Sequence, residues 1–169
     1  MQQQLQLGLV QGGPEPLPPL DSYQPVQLVT SELLERFWPM AAVHLDRCVK
    51  GALHGEYTTE DLYQMATMGK AVVFVVTNDP TGRHPDTDVS IAFVVEPVLY
   101  PKLNAVNILA LGGHDLSSAQ KQHWESFKGW AYMNGARAIE ASVGPAMMRV
   151  LSRWGFKPVY THARLSLEK

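Results

Sequence analysis

"AIEASVGPAMMRVLSRWGF", Ala138 to Phe156, compresses a strand, a sharp turn, a short helix and a helix stop into one stretch near the C-terminus. The segment "ARAIEASV" reads as a strand, and Gly144 with Pro145 marks a helix start. Proline's fixed φ suits the first helical position, where its missing N–H has no partner to lose. Ala146 to Trp154 then reads as helix, with Gly155 as the left-handed residue that ends it. "FKPVYTHARLSL", Phe156 to Leu167, is expected to form a last strand. Strand, helix and strand at this spacing form a compact unit at the end of a mixed sheet.

Upstream lie three β-type runs: "AVVFVVT" from Ala71, "VSIAFVVEPVLY" from Val89 and "NAVNILALGG" from Asn104. The first two are separated by the turn-forming "NDPTGRHPDTD", the second and third only by "PKL". Connections this short make an antiparallel meander. Before the meander, Leu34, Phe37, Ala41, Leu45 and Cys48 fall at helical spacing behind Ser31 as an N-cap, and Pro39 should kink or split that helix. A second helix is expected from Thr58 or Thr59, with Glu60 and Asp61 in its first turn and Gly69 as its stop. After the meander, Ser117 or Ser118 caps a long helix that ends at Asn134 against Gly135.

The chain therefore divides into an extended Gln/Pro-rich arm, residues 1–25, and one domain, residues 26–169. The arm has no periodic apolar face, and "PEPLPPL" favours a polyproline conformation suited to a groove on a neighbour. With 46% hydrophobic and 18% charged residues the composition is that of a globular protein, and no apolar run approaches the roughly 20 residues of a membrane span. A formal net charge of -2, with scattered Lys and Arg, argues against nucleic acid as a partner. No membrane partner and no secretion signal are expected. The single cysteine, Cys48, reads as a small buried hydrophobe in a helix seam.

This order of elements, closing in "GARAIEASVGPAMMRVLSRWGFKPVY" with its Gly155-Phe156 pair, resembles the GNAT superfamily of N-acetyltransferases, and most of all the small GNAT-like proteins of tailed bacteriophages. The resemblance implies an α/β (α+β) fold: a mixed, mainly antiparallel sheet of about six strands with helices on both faces. It also implies acetyl-CoA lying where the fourth and fifth strands splay apart, its pyrophosphate at the start of the long helix, where unpaired N–H groups and the helix dipole favour an anion. In this chain the phosphate loop would be "GGHDLSSA", which makes Gly112, Gly113, Ser117, Ser118 and Gly144 the candidate cofactor contacts.

The chain departs from the family at the points that matter for chemistry. Gly112 and Gly113 precede the loop instead of lying inside it, and Asp115 sets a negative charge where phosphates would sit. Capping alone accounts for one of the two serines. The family's Asn at the start of the short helix falls on Gly144, and its Tyr four residues before the Gly-Phe pair, the acid for the departing thiolate, falls on Leu151. Tyr132 and Tyr160 lie elsewhere and read as packing. As base for the attacking amine, Glu96 at the end of the second β run is the first candidate and His114 the next; each also reads as an ordinary strand-end or loop side chain.

No His-Glu-x-x-His motif and no Cys-His pairing occurs among the six histidines, so no metal site is indicated. His114 and Ser117 lack the Gly-x-Ser-x-Gly elbow of a serine nucleophile. Trp38, Trp124, Trp130 and Trp154 read as core or interface residues. The sequence thus favours a non-catalytic virion or assembly component docked on other protein subunits through residues 1–24, in the host cytoplasm during assembly and then in the virion. The alternative is an active acetyl-CoA-dependent N-acetyltransferase acting on an amine, and homo-oligomerisation is open in either case.

Overall fold

The computed structural model describes residues 16, 17, 19, 20, 25–52, 55–114, 116 and 121–168. Its elements run β1 (Gln27–Val29), α1 (Ser31–Ala52), α2 (Thr59–Thr67), β2 (Val72–Thr77), β3 (Val89–Leu99), β4 (Asn104–Gly113), α3 (Lys121–Met133), β5 (Ala138–Ala141) and α4 (Pro145–Arg153). The strands form one sheet in the order β1-β2-β3-β4-β5, antiparallel throughout except for the parallel pair β4 and β5. The mixed, mainly antiparallel sheet with helices on both faces is thus present, with the meander at its centre. The arm and the expected capping serines lie outside the described residues, apart from a few arm positions.

Three expectations are corrected. Phe156–Leu167 is not a strand: beyond α4 the chain has no ladder partner among the described residues, and the sheet's remaining strand is the short β1 on the opposite edge. Pro158 removes a donor at the start of that segment, and an Arg164–Glu56 ion pair draws it toward the connection between α1 and α2. Pro39 does not split α1, which runs unbroken through it. The proline stands exposed, so water can reach the carbonyl that loses its donor. Ser31 is the first helical residue of α1 instead of its cap.

Both sheet faces are covered, which is why β2 and β3 read as continuous apolar runs instead of alternating ones. On one face the α1 residues Leu34, Phe37, Ala41 and Leu45, with Leu62 of α2, pack on Val73, Val75, Val94 and Leu109. Cys48, half-buried, lies at the margin of this cluster. On the other face Phe127 and Ala131 of α3 meet Phe74, Phe93 and Val106. Here Phe74 stacks on Phe93 at 5.1 Å and takes Phe127 edge-on at 5.3 Å, the offset and edge-to-face arrangements that ring quadrupoles favour. α2 is held by a reciprocal capping box between Thr58 and Asp61, and Gly69 follows it at φ +73°.

Two close approaches fix β4. A Cβ at Gly112 would lie 2.2 Å from the His44 carbonyl oxygen of α1, and one at Gly113 would lie 2.4 Å from the Ser90 carbonyl oxygen of β3. His44 itself bridges from α1 to the start of β3 through Nε2, 2.7 Å from the Val89 carbonyl. The β2–β3 connection is organised by buried Asp79, whose carboxylate accepts from the Thr81 and His84 amides and from the Thr81 and Thr87 hydroxyls. Burial by itself would raise its pKa; these donors more than reverse that and hold the carboxyl far below its ordinary value of 3.8.

Gly112→Ala should therefore cost about 1–3 kcal/mol or more in denaturant unfolding. Gly129→Ala, in exposed helix with nothing within 4 Å, should gain about 0.5–1 kcal/mol. Because Asp79 is more acidic folded than unfolded, its contribution is complete above 3.8 and is lost as pH falls below that value toward the folded pKa. Asp79→Asn should accordingly be less stable than the parent at neutral pH, and the two unfolding midpoints should converge in acid.

Candidate functional site

The parallel pairing of β4 with β5 lasts four residues, from Ala105 opposite Ala138 to Ile108 opposite Ala141. β4 then continues to Gly113, whereas the other chain turns away through Ser142–Gly144 into α4. The register between β3 and β4 shifts at the same level: Val95 faces Ile108 and Val94 faces Ala110, which leaves Leu109 as an extra residue in β4. A bulge bends its strand and increases the local twist. It thus coincides with the point where β4 leaves β5, and from Leu109 to Gly113 the outer edge of β4 has no strand beside it among the described residues. A backbone edge of this kind offers N–H and C=O groups to a ligand.

The fork has distinct surroundings. α4 starts at Gly144, which supplies no side-chain cap, with Pro145 in its first turn. Leu151 of α4 is buried, 1% exposed. Across the fork, Trp124 near the start of α3 stacks on Trp154 at the end of α4, with centroids 5.5 Å apart, and meets Phe156 at 5.3 Å. An apolar pocket opens beside this stack, lined among others by Val26, Ile108, Leu111, Trp124, Phe127 and Trp154. The indole N–H of Trp124 is buried there without a hydrogen-bond partner among the described residues.

At the base of the fork a polar row crosses three strands. Glu96 of β3 stands opposite Asn107 of β4, and Asn107 stands opposite Glu140 of β5. Asn107 donates to the Glu96 carboxylate at 3.3 Å, and the Tyr100 hydroxyl donates to Glu140 at 2.8 Å. That hydrogen bond is the main cause of the raised pKa of Tyr100. Tyr57, in the α1–α2 connection, is pushed up by burial first and then by the charges of Glu96 and Glu56. Glu96 therefore lies on the α1/α2 face with a phenol nearby, one ladder position from where β4 and β5 part.

His114 is not part of this row. It follows β4 at the opposite end, its amide donating to the Ser90 carbonyl and its ring edge-on to His44 at 4.8 Å. Seven positions separate Asn107 from His114, about 23 Å of strand at roughly 3.3 Å per residue. Glu96 and His114 are thus separate sites. Gly112 and Gly113 end β4 on the free edge of the fork, and packing against α1 and β3 requires both to be glycine. Gly144 sits at the start of α4; Ser117 and Ser118 lie outside the described residues. Asn107, Glu140, Tyr57 and Tyr100 were not legible as a group, because four separate elements carry them. Their one signal is polarity inside apolar runs, Asn107 in "NAVNILALGG" and Glu140 in "AIEA".

No family model and no curated protein sequence matches the chain. Solved structures do. An aminoglycoside N-acetyltransferase in complex with CoA superposes with a TM-score of 0.59 at 12% identity, covering 89% of this chain and 97% of that one. An aminoglycoside acetyltransferase from an uncultured soil metagenomic sample, in complex with sisomicin, gives 0.58 at 10% identity, covering 85% and 95%. A Trypanosoma brucei acetyltransferase gives 0.55 at 10% identity, covering 84% and 98%. At such identities the likeness establishes the fold, which is the GNAT-like acetyltransferase fold.

The polar row has a spectroscopic consequence. Removing the Glu96 charge in Glu96→Gln should move the alkaline titration of Tyr57 to lower pH, read by ultraviolet difference titration against a Tyr57→Phe control. An unchanged curve would place Glu96 too far from the phenol to matter.

Proposed function

We propose that this chain is a GNAT-fold protein that keeps the fork of an acetyl-CoA site but lacks the groups that turn a bound thioester over, and that it serves as a protein-interaction component. The observation that carries this reading is Leu151, a buried apolar side chain where the resemblance places the acid for the departing thiolate. Without an acid the sulfur must leave unprotonated, forfeiting a general-acid contribution of typically 10²–10⁴-fold. Gly144 adds no side chain at the other expected contact. The arm, residues 1–24, then supplies the docking element, and the resemblance to tailed-phage proteins makes virion assembly in the host cytoplasm the setting.

The fork and the Glu96–Asn107 pair favour a second reading, an N-acetyltransferase. In it the amine nitrogen attacks the thioester carbonyl, the C–S bond breaks, CoA leaves as thiolate and Glu96 takes the amine proton through a water. Backbone groups of Leu109–Gly113 would hold the pantetheine, and the start of α3 the pyrophosphate.

A thermal melt with millimolar acetyl-CoA, paired with a thiol-release assay over a panel of amines, separates the two. The first reading expects no amine-dependent thiol release. Release that is lost in Glu96→Gln, while that variant keeps the several kcal/mol of stabilisation expected at saturating ligand, would establish the second. Deleting residues 1–24 should leave the melting temperature unchanged and abolish co-assembly with partner subunits; a truncated chain that assembles normally removes the docking role.

A further inference from the structure

Between Glu140 and Glu168 the sequence has no Asp or Glu, whereas Arg149, Arg153, Lys157 and Arg164 all fall in that interval. Four cations and no anion give residues 141–167 a formal charge of +4; the whole chain carries -2, which leaves -6 on the remainder. A charge asymmetry of this kind within one chain points to a partner of opposite sign.

Arg164 already pairs with Glu56. The other three cations are exposed and have no ion-pair partner among the described residues. They also lie together. Arg149 and Arg153 are one turn apart on the face of α4 opposite buried Leu151, and the exposed Pro145, Ala146 and Ser152 complete that face without an anion. Gly155, at φ +95°, follows the helix, and Lys157 comes two residues later. From Arg149 to Lys157 the backbone spans at most about 19 Å, four residues at the helical rise and four extended. Just beyond, Val159 and Tyr160 are 74% and 92% exposed. The helix dipole accounts for Arg153 in the last turn. It does not account for Arg149, whose place one turn from Arg153 is mildly repulsive, or for Lys157, which lies outside the helix.

We infer that the outer face of α4, together with Lys157, is a docking surface for a short acidic segment of a partner protein. Charge complementarity selects an anion. The -6 on the remainder of the chain selects a short one: a long polyanion would meet that charge as well, whereas about five or six extended residues reach only the cations. Arginine and tyrosine are the side chains that most often dominate protein contacts, and exposed Val159 and Tyr160 give the segment an apolar neighbour, which favours a protein over a free phosphate. This surface goes beyond the docking role of the arm. It belongs to the folded domain, at the other end of the chain, and requires nothing of the fork.

Fluorescein-labelled octaglutamate should bind the full chain at low ionic strength, read by fluorescence anisotropy, and be released toward about 1 M salt, where the Debye length falls to roughly 3 Å. Arg149→Glu, Arg153→Glu and Lys157→Glu together should weaken that binding by about 10-fold or more. A control of equal net charge, Arg47→Glu with Lys70→Glu and Lys102→Glu, should bind like the parent. All six positions are exposed, so both variants should melt close to the parent. A control that weakens as much as the α4 variant reduces the effect to net charge and overturns the proposal. So does a parent chain that fails to bind octaglutamate, and so does tighter binding of a single-stranded DNA octamer or of phosphatidylserine vesicles. Competition by millimolar acetyl-CoA also overturns it, by assigning the cations to the fork. Deleting residues 1–24 should leave octaglutamate binding unchanged, which separates this surface from the arm; loss of binding on that deletion gives the site to the arm instead.

Discussion

The contact that the rest of the structure depends on is the approach of α1 to β4 at Gly112, where no side chain fits between the strand and the His44 carbonyl. It presses the C-terminal half of β4 against α1 on one face, while Gly113 lets β3 come equally close. The same strand carries the Leu109 bulge between its paired and free halves. β4 is thereby fixed from two sides at the level where its third neighbour, β5, is gone. An edge left open without such support would be expected to twist or collapse onto the nearest apolar surface. Held from behind, it remains an accessible row of backbone donors and acceptors.

The two ends of the fork differ in chemistry. At its base the Glu96–Asn107–Glu140 row, with Tyr57 and Tyr100, concentrates hydrogen bonds and negative charge on the α1/α2 face. On the α3 side the surroundings are aromatic, and the stack of Trp124, Trp154 and Phe156 ties α4 to α3. Leu151 belongs to the apolar part. A thioester in the fork would meet a carboxylate able to take a proton and, among the described residues of α4, only apolar burial where a proton would have to be given.

Much of this was legible in the chain. The glycines at 69, 135 and 155 ended their helices as read because each adopts positive φ, a backbone state other residues avoid. The meander followed from connections too short for a crossover. The register was not legible: the bulge at Leu109, the four-residue pairing of β5 and the seating of α1 on Gly112 are all set between residues far apart in sequence. For the same reason Gly112 and Gly113 could be named as candidate cofactor contacts, but the close approaches to α1 and β3 that demand glycine at both positions could not be foreseen. Glu96 could be named from its place at the end of a β run, but not its partners, which come from other elements. Phe156–Leu167 was misread because its β-type residues do not tell whether a sheet edge lies within reach once Phe156 packs on Trp124 and Arg164 pairs with Glu56.

The length and the position of β5 account for the two open edges at this end of the sheet. Four residues suffice to dock it against β4, after which Ser142, Val143 and Gly144 divert the chain into a helix. Above that point β4 keeps β3 on one side but has no strand on the other among the described residues, and that gap is the fork. On the other side β5 has no neighbouring strand among the described residues. The inner gap lies between elements that α1 and the aromatic stack hold in place, so it suits a thin ligand reading backbone groups. One truncated strand thus sets both gaps: its length fixes where the fork opens, and its place at the end of the sheet leaves its outer edge unpaired among the described residues.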